Sequence, residues 1–368
     1  MSGWDDRADN LLLLRSYLRT FRGDLSTPLY LIHFLTNRCN ASCAHCFIPR
    51  MQEVMAGDAE LSLDEHLAVI AKLGPELLNV NLTGGEIFML PWVGEIIEAY
   101  GSQTSIRSML LTTHGGFPSR TVEVMNQATS AHPKVQFVLS ISMDGDAELH
   151  DRLRGYPGLF DTALRCYHEL RKIQAPNLDV QACFCLQKAN LHNWKEIIDR
   201  LVFHHEVSNL TCTWARDEEG GDPARQADQY EACSRYLDAL IRQGKLQGYR
   251  PTVQGRLLNA KNIISRRVVR AIIKEDKFVS PCVAARLFGV IMANGDVHPC
   301  EILLKDSMGN LRDHDYDLES LWRGERNGQL RRRIVQHKCS CPFECAWTAN
   351  ILFTPRFLPE LLYRAIKG

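Results

Sequence analysis

From residue 29 onward, short apolar or β-branched runs alternate with longer stretches of helical periodicity. The runs at 29–35, 77–82, 109–113, 135–142, 178–186 and 210–214 have strand length and strand composition. Between them, apolar positions recur every three or four residues over about 63–73, 118–129, 159–173 and 191–205. The first of these helices carries the clearest boundaries. Ser62-Leu63-Asp64-Glu65 is a capping box, and Gly74-Pro75 stops the pattern. Six strands separated by helices predict an α/β fold, a partial (β/α)6 TIM-type barrel.

The flanks read differently. Residues 4–22 predict an amphipathic helix with Leu11, Leu14, Leu18 and Phe21 on one face. The polar, Gly-rich segment 217–223 predicts a loop after the sixth strand, and helical patterns return at about 227–243 and 255–275. From about 280 the chain changes to short strands, turns and cysteines. There Asn294-Gly295, between 289–292 and 296–298, is a strong hairpin signal. The expected organisation is therefore an N-terminal helix (1–28), a barrel (29–225), a helical linker (226–279) and a small module of hairpin plus helix (280–368).

The 43 basic and 43 acidic residues cancel, which argues against a chain built mainly to bind nucleic acid or an anionic membrane. Asp5 and Asp6 stand where a signal peptide would be positive, and no apolar stretch approaches the ~18 residues of a membrane span. The expected compartment is the reducing cytoplasm, where a chain with 13 cysteines uses clustered thiols for metal or redox chemistry.

Cys39, Cys43 and Cys46 stand immediately after the first strand with C-x3-C-x2-C spacing, followed by the aromatic Phe47. Parallel barrels place their chemistry at that end of the strands. Three thiolates so spaced can hold three irons of a cubane and leave the fourth open to a small molecule. A structural zinc knot is the alternative, but zinc takes four ligands and no second cysteine pair lies nearby. Thr83-Gly84-Gly85-Glu86 follows the second strand. Ser140-Ile141-Ser142-Met143-Asp144-Gly145 follows the fourth, leading to His150-Asp151-Arg152-Leu153-Arg154-Gly155.

Together these motifs resemble the radical S-adenosylmethionine (SAM) superfamily: its cysteine loop, its GGE turn and the SxDG and HDxxRG stretch of its maturase branch. The resemblance implies a [4Fe–4S] cluster on Cys39, Cys43 and Cys46. It also implies a SAM pocket containing Gly84, Gly85 and Glu86 beside the amino group, Ser142 and Asp144 at the ribose or methionine end, and Arg154 either at the carboxylate or fixing the loop. Leu111-Thr112-Thr113-His114-Gly115 occupies the place of the family's TNG turn, with His114 in place of Asn.

Cys282, Gly295 and Cys300 resemble the opening of the auxiliary-cluster modules called SPASM or twitch, and Cys339, Cys341 and Cys345 would close the site. Five cysteines imply one auxiliary [4Fe–4S] cluster with one thiol to spare among the last three; a zinc site on four of them is the alternative. Cys166, Cys183, Cys185, Cys212 and Cys233 lie in strand or helix patterns and read as small apolar residues.

The resemblance thus implies an enzyme, a radical SAM oxidoreductase. The open cluster would cleave SAM reductively, and the resulting 5′-deoxyadenosyl radical would abstract hydrogen from substrate. The substrate would be a ribosomally made peptide or a sugar- or aminocyclitol-like small molecule, with an external one-electron donor of flavodoxin or ferredoxin type. Asp217, Asp296 and Glu301 are candidate bases by position alone. Two other classes remain open. An RNA-modifying enzyme would use Arg266, Arg267, Arg270 and the run Arg331, Arg332 and Arg333 as a basic patch. A zinc- or cluster-stabilised scaffold would bind no SAM.

Overall fold

The computed structural model describes residues 25–48, 59–215, 223–248 and 253–367, with the side chains at 223, 253, 254, 344 and 345 excluded. The expected helix over 4–22 and the polar loop at 217–222 lie outside the described residues.

The expected strands are present within two residues: β1 (Tyr30–Thr36), β2 (Asn79–Gly84), β3 (Ser108–Thr113), β4 (Gln136–Ser142), β5 (Leu178–Leu186) and β6 (Leu210–Trp214). The helices interleave with them: α1 (Leu63–Ala71), α2 (Val93–Gln103), α3 (Pro118–Ala131), α4 (Ala147–Arg154), α5 (Leu159–Arg171) and α6 (Trp194–Phe203). This is the strand–helix order of a partial (β/α)6 barrel. The helix α2 was not anticipated. Nor was α4, a helix started by Asp146, whose side chain accepts Leu149 N–H at 3.1 Å. The α1 capping box forms as expected, with Ser62 N donating to Glu65 at 2.8 Å and Glu65 N donating to Ser62 Oγ at 3.3 Å.

Beyond the barrel order come the long helices α7 (Pro223–Arg242) and α8 (Val253–Glu275), then the strands β7 (Phe288–Ile291), β8 (Asp296–His298) and β9 (Gly309–Asn310). Helices α9 (Leu318–Arg323), α10 (Glu325–Gln336), α11 (Glu344–Phe353) and α12 (Leu358–Lys367) complete the described chain. The hairpin read from Asn294-Gly295 is present: β7 and β8 pair antiparallel, Val290 opposite His298, and Gly295 takes φ +91°.

The chain forms two compact units. One comprises Met1–Ser142, His150–Gln181 and Ala284–Arg332; the other comprises Met143–Leu149, Ala182–Val283 and Arg333–Gly368. In the first, β1 to β4 form a parallel ladder in sequence order, and β7 adds beside β1 in parallel, Tyr30 opposite Phe288. Pattern alone cannot reveal that pairing, because β7 reads equally well as half of an isolated hairpin. In the second unit, β5 and β6 pair in parallel from Ala182–Leu210 to Leu186–Trp214. In the first unit β8 adds antiparallel to β7, and β9 antiparallel to β8, Val297 opposite Gly309.

β1 sits centrally in the first unit, and Leu31, Ile32, Phe34 and Leu35 are buried, as the near-continuous apolar run of a parallel strand requires. A buried polar chain fastens the helices behind it. Tyr100 of α2 bonds His33 of β1 at 2.8 Å, and His33 bonds His66 of α1 at 3.0 Å. Burial holds the His66 pKa down to about 4, so the chain is neutral.

Candidate active site at the ends of the parallel strands

The cysteine loop leaves β1 at Thr36 and is tied at both ends. On the entry side, Glu60 accepts Thr36 Oγ1 at 2.8 Å and Asn37 N at 2.6 Å, and lies 3.4 Å from Arg38 Nε. On the exit side, Ser42 N donates to Arg154 O at 2.9 Å and Ala44 N to Leu153 O at 3.0 Å. Each of the three sulfurs is met by one N–H donor. Ala41 N lies 3.4 Å from Cys39 Sγ, the Arg154 guanidinium 3.7 Å from Cys43 Sγ, and the Ile48 amide faces Cys46. Burial pushes the Cys39 and Cys46 thiols up, with the neighbouring Cys43 adding to the rise at both.

No three Cys, His, Asp or Glu side chains among the described residues close on a single ion. A tetrahedral zinc needs sulfurs about 3.8 Å apart, given Zn–S bonds of about 2.3 Å. A cubane spreads its thiolates over separate irons. One loop of neighbouring thiols, each with an N–H donor to favour its anionic form, suits the cluster better than the ion.

The glycine turn after β2 packs directly on the backbone entering that loop. Gly85 N donates to Thr36 O at 2.8 Å and Glu86 N to Arg38 O at 3.0 Å. A Cβ on Gly84 would sit 2.2 Å from Thr36 O, and one on Gly85 would sit 2.0 Å from Arg38 O. Gly84 also has φ +142°, open only to glycine in practice. The two glycines are therefore required by contact between two loops.

Glu86 is fully buried. Its carboxylate accepts Phe88 N at 3.0 Å, Thr113 Oγ1 at 2.8 Å and His114 N at 2.8 Å, with His114 Nε2 a further 3.3 Å away. It thus clamps the end of β2 to the end of β3. Thr113 and His114, to which the sequence assigned no definite role, are its partners. The signal for them was positional only: they fill the place of a family turn while departing from its pattern.

Arg154 ends α4 in the same unit as the cysteine loop. Asp151, three residues earlier, accepts Gly158 N and also Phe160 N, the latter at 2.8 Å, and so fixes the start of α5. Ser142 is the half-buried last residue of β4. Asp144 lies in the second unit, fully buried, where it accepts Cys185 N at 3.0 Å while its carbonyl accepts Asn190 Nδ2 at 3.0 Å.

The C-terminal cysteines occupy separate segments. Cys300 follows β8 in the first unit; Cys282, Cys339, Cys341 and Cys345 belong to the second. There α11 serves two of them. Asn350 accepts Val283 N at 2.8 Å and brings Nδ2 within 4.0 Å of Cys282 Sγ, and Trp347 Nε1 donates to Cys341 O at 2.7 Å. Cys339 N donates to Ile334 O at 2.9 Å at the end of α10. The Cys345 side chain lies outside the described residues.

Of the position-only candidates for a base, Asp296 is engaged by Asn294 at 2.9 Å and Asn310 at 3.0 Å within the hairpin, while Asp217 lies outside the described residues. The arginines of the RNA reading are paired: Arg266 with Asp238 at 2.8 Å, Arg267 with Glu360 at 2.6 Å, and Arg270 with Glu231 at 3.2 Å. Arg331 donates to Ala285 O at 2.7 Å. These contacts give four of the six arginines of that reading partners within the protein.

A family model described as the radical SAM superfamily matches residues 34–201, and one described as an iron–sulfur cluster-binding domain, SPASM, matches residues 279–346. The chain belongs to the radical SAM superfamily. It is an enzyme of that class, with SAM and [4Fe–4S] clusters as its cofactors. Among curated radical SAM relatives, it is 23% identical over 331 residues to the antilisterial bacteriocin subtilosin biosynthesis protein AlbA of Bacillus subtilis, spanning 86% of this chain and 65% of AlbA. It is 26% identical to the AdoMet-dependent heme synthase of Methanosarcina barkeri, spanning 84% of this chain and 85% of that one. In fold it resembles the crystal structure of Streptococcus suis SuiB at TM-score 0.61 and 16% identity, spanning 89% of this chain and 74% of SuiB. SuiB has also been solved with S-adenosylmethionine and with precursor peptide SuiA. No helix among the described residues is long and apolar enough to cross a membrane.

Proposed function

We propose that the chain is a cytoplasmic peptide-modifying radical SAM oxidoreductase, with Cys39, Cys43 and Cys46 holding the SAM-cleaving cluster. The observation that carries the cluster assignment is the loop itself: three thiols on one short segment, each supplied with an N–H donor. When bound, the cluster would supply the electron for reductive cleavage of SAM, and with it the hydrogen abstraction from substrate. The surrounding residues bind and orient. The Gly84-Gly85 turn permits close approach, the buried Glu86 carboxylate contributes negative charge toward the methionine ammonium, and Ser142 and Arg154 of the same unit hold the remainder of SAM. Cys282 and Cys300, with two of Cys339, Cys341 and Cys345, hold one auxiliary cluster, and an external flavodoxin or ferredoxin supplies electrons.

The peptide reading is supported by the likeness to AlbA across most of this chain and by the SuiB fold. A tetrapyrrole reading has its own support, since the heme synthase matches this chain over nearly equal shares of both proteins. Anaerobically reconstituted, dithionite-reduced protein is expected to convert SAM to methionine and 5′-deoxyadenosine. Deuterium carried into 5′-deoxyadenosine from a labelled precursor peptide, and not from a labelled porphyrin, would uphold the peptide reading. The reverse result would replace it.

A further inference from the structure

His114, buried in the first unit, is joined to the cysteine loop. Gly116 N donates to its Nδ1 at 3.0 Å, so the hydrogen of the neutral ring is on Nε2. That Nε2–H points at Asn40 Oδ1, 2.9 Å away, with Glu86 Oε2 at 3.3 Å. The ring is 5% exposed and flanked by Phe117 and Tyr156 at centroid distances of 6.2 and 6.1 Å. Its rotamer and tautomer are therefore both fixed by the protein.

The place it grips matters. Upstream, the loop is held as far as Arg38 by Glu60 and by the Glu86 amide; downstream, it is held from Ser42 by the end of α4. Between Arg38 and Ser42 lie Cys39, Asn40 and Ala41, and the tie to the rest of the protein described there is Asn40 to His114. Cys39 is also the exposed member of the triad. Fixing the Asn40 side chain fixes the peptide units on either side of it, including Ala41 N, the donor to Cys39 Sγ.

We propose that His114 is the positioning residue for Cys39, acting through a neutral Nε2–H···Oδ1 bond to Asn40. This rests on the reading of Cys39, Cys43 and Cys46 as cluster ligands. By this bond the β3 turn, where this chain carries His instead of the family's Asn, retains the iron bound by the first cysteine.

Two measurements test it. In metal-free protein, amide exchange of a peptide spanning 37–46 is expected to quicken about tenfold in His114→Ala and equally in Asn40→Ala. In reconstituted protein, a ferrous chelator should strip iron about tenfold faster from either variant, a change equivalent to ~1.4 kcal/mol. The double variant should be no faster than either single one, because both remove the same bond. His114→Gln, whose amide reaches as far as Nε2, should restore slow iron loss; the shorter His114→Asn should not. Asn40 is a loop side chain, so its variant tests the bond without endangering the fold. Wild-type exchange and iron-loss rates in Asn40→Ala, or additive effects in the double variant, would overturn the proposal. Failure of the wild type to take up a cubane would instead overturn the cluster reading, and the exchange data on metal-free protein would still decide the role of His114.

Discussion

The two groups of cysteines are built on opposite plans. Cys39, Cys43 and Cys46 share one loop of a single compact unit, and backbone bonds fix that loop on both sides. Cys282, Cys300, Cys339, Cys341 and Cys345 are spread over separate segments belonging to both units, and α11 reaches two of them through Asn350 and Trp347. A local site can be disabled by one change within a few residues. Cysteines spread along the chain depend on the fold of several segments, and their loss should leave the local site working. The comparison predicts separable losses.

The largest effect expected is on SAM cleavage. Cys39→Ala should abolish 5′-deoxyadenosine formation and lower iron from about eight to about four per chain, the difference of one cubane. Cys282→Ala should lower iron by the same amount yet leave reductive SAM cleavage measurable, with product formation lost. Iron assay and chromatography of 5′-deoxyadenosine check both. If Cys282→Ala silenced SAM cleavage as fully as Cys39→Ala, the two groups could not be independent.

Next comes the contact between loops that shapes the local site. A methyl on Gly85 would lie 2.0 Å from Arg38 O, which is backbone and cannot swing aside. Gly85→Ala should destabilise the fold by roughly 3 kcal/mol, the range of overpacked sites. At Gly158, φ is +78° but no atom lies within 4 Å of the added carbon. Gly158→Ala should lose only about 1 kcal/mol, the penalty of left-handed backbone alone. Urea denaturation of the two variants separates crowding from conformation, and equal losses would contradict the loop-contact account.

This contrast also explains what the sequence disclosed. Strand periodicity, the Ser62–Glu65 capping box and the Asn294-Gly295 turn are set by neighbours within a few residues, and all were legible. The cysteine spacing and the GGE turn were legible for the same reason. The partnership of Glu86 with Thr113 and His114 was not, since it joins residues 27 and 28 positions apart through a register that only the sheet defines. The parallel pairing of β7 with β1 was hidden likewise, as was the use of Asp151 to fix the start of α5.

The local plan is not wholly local, and the smallest effects arise there. Arg312, which follows β9, binds both oxygens of Glu65, at 2.6 and 3.1 Å, and donates to the carbonyls of Ala59, Glu60 and Asn294 at 3.0 to 3.1 Å. Glu60 in turn holds Asn37 at the mouth of the cysteine loop. Arg312→Ala strands several acceptors at once and should destabilise the protein by about 2 kcal/mol. A smaller share of that loss should depend on pH. Hydrogen bonds from Arg312 first, then from Ser62 N and Tyr316, hold the Glu65 carboxyl at about 2, against about 4.3 in an unfolded chain. Between those values the unfolded chain binds more protons than the native one. The contribution is therefore complete above about pH 4.3 and is lost as pH falls toward 2. Solvent screening at this partly exposed pair limits it to about 1 kcal/mol. Urea titrations from pH 6 to 3 should give a steeper acid decline in the wild type than in Arg312→Ala. Parallel declines would show that Glu65 is not held by Arg312, and that the support of the cysteine loop from residues some 250 positions away is ordinary packing.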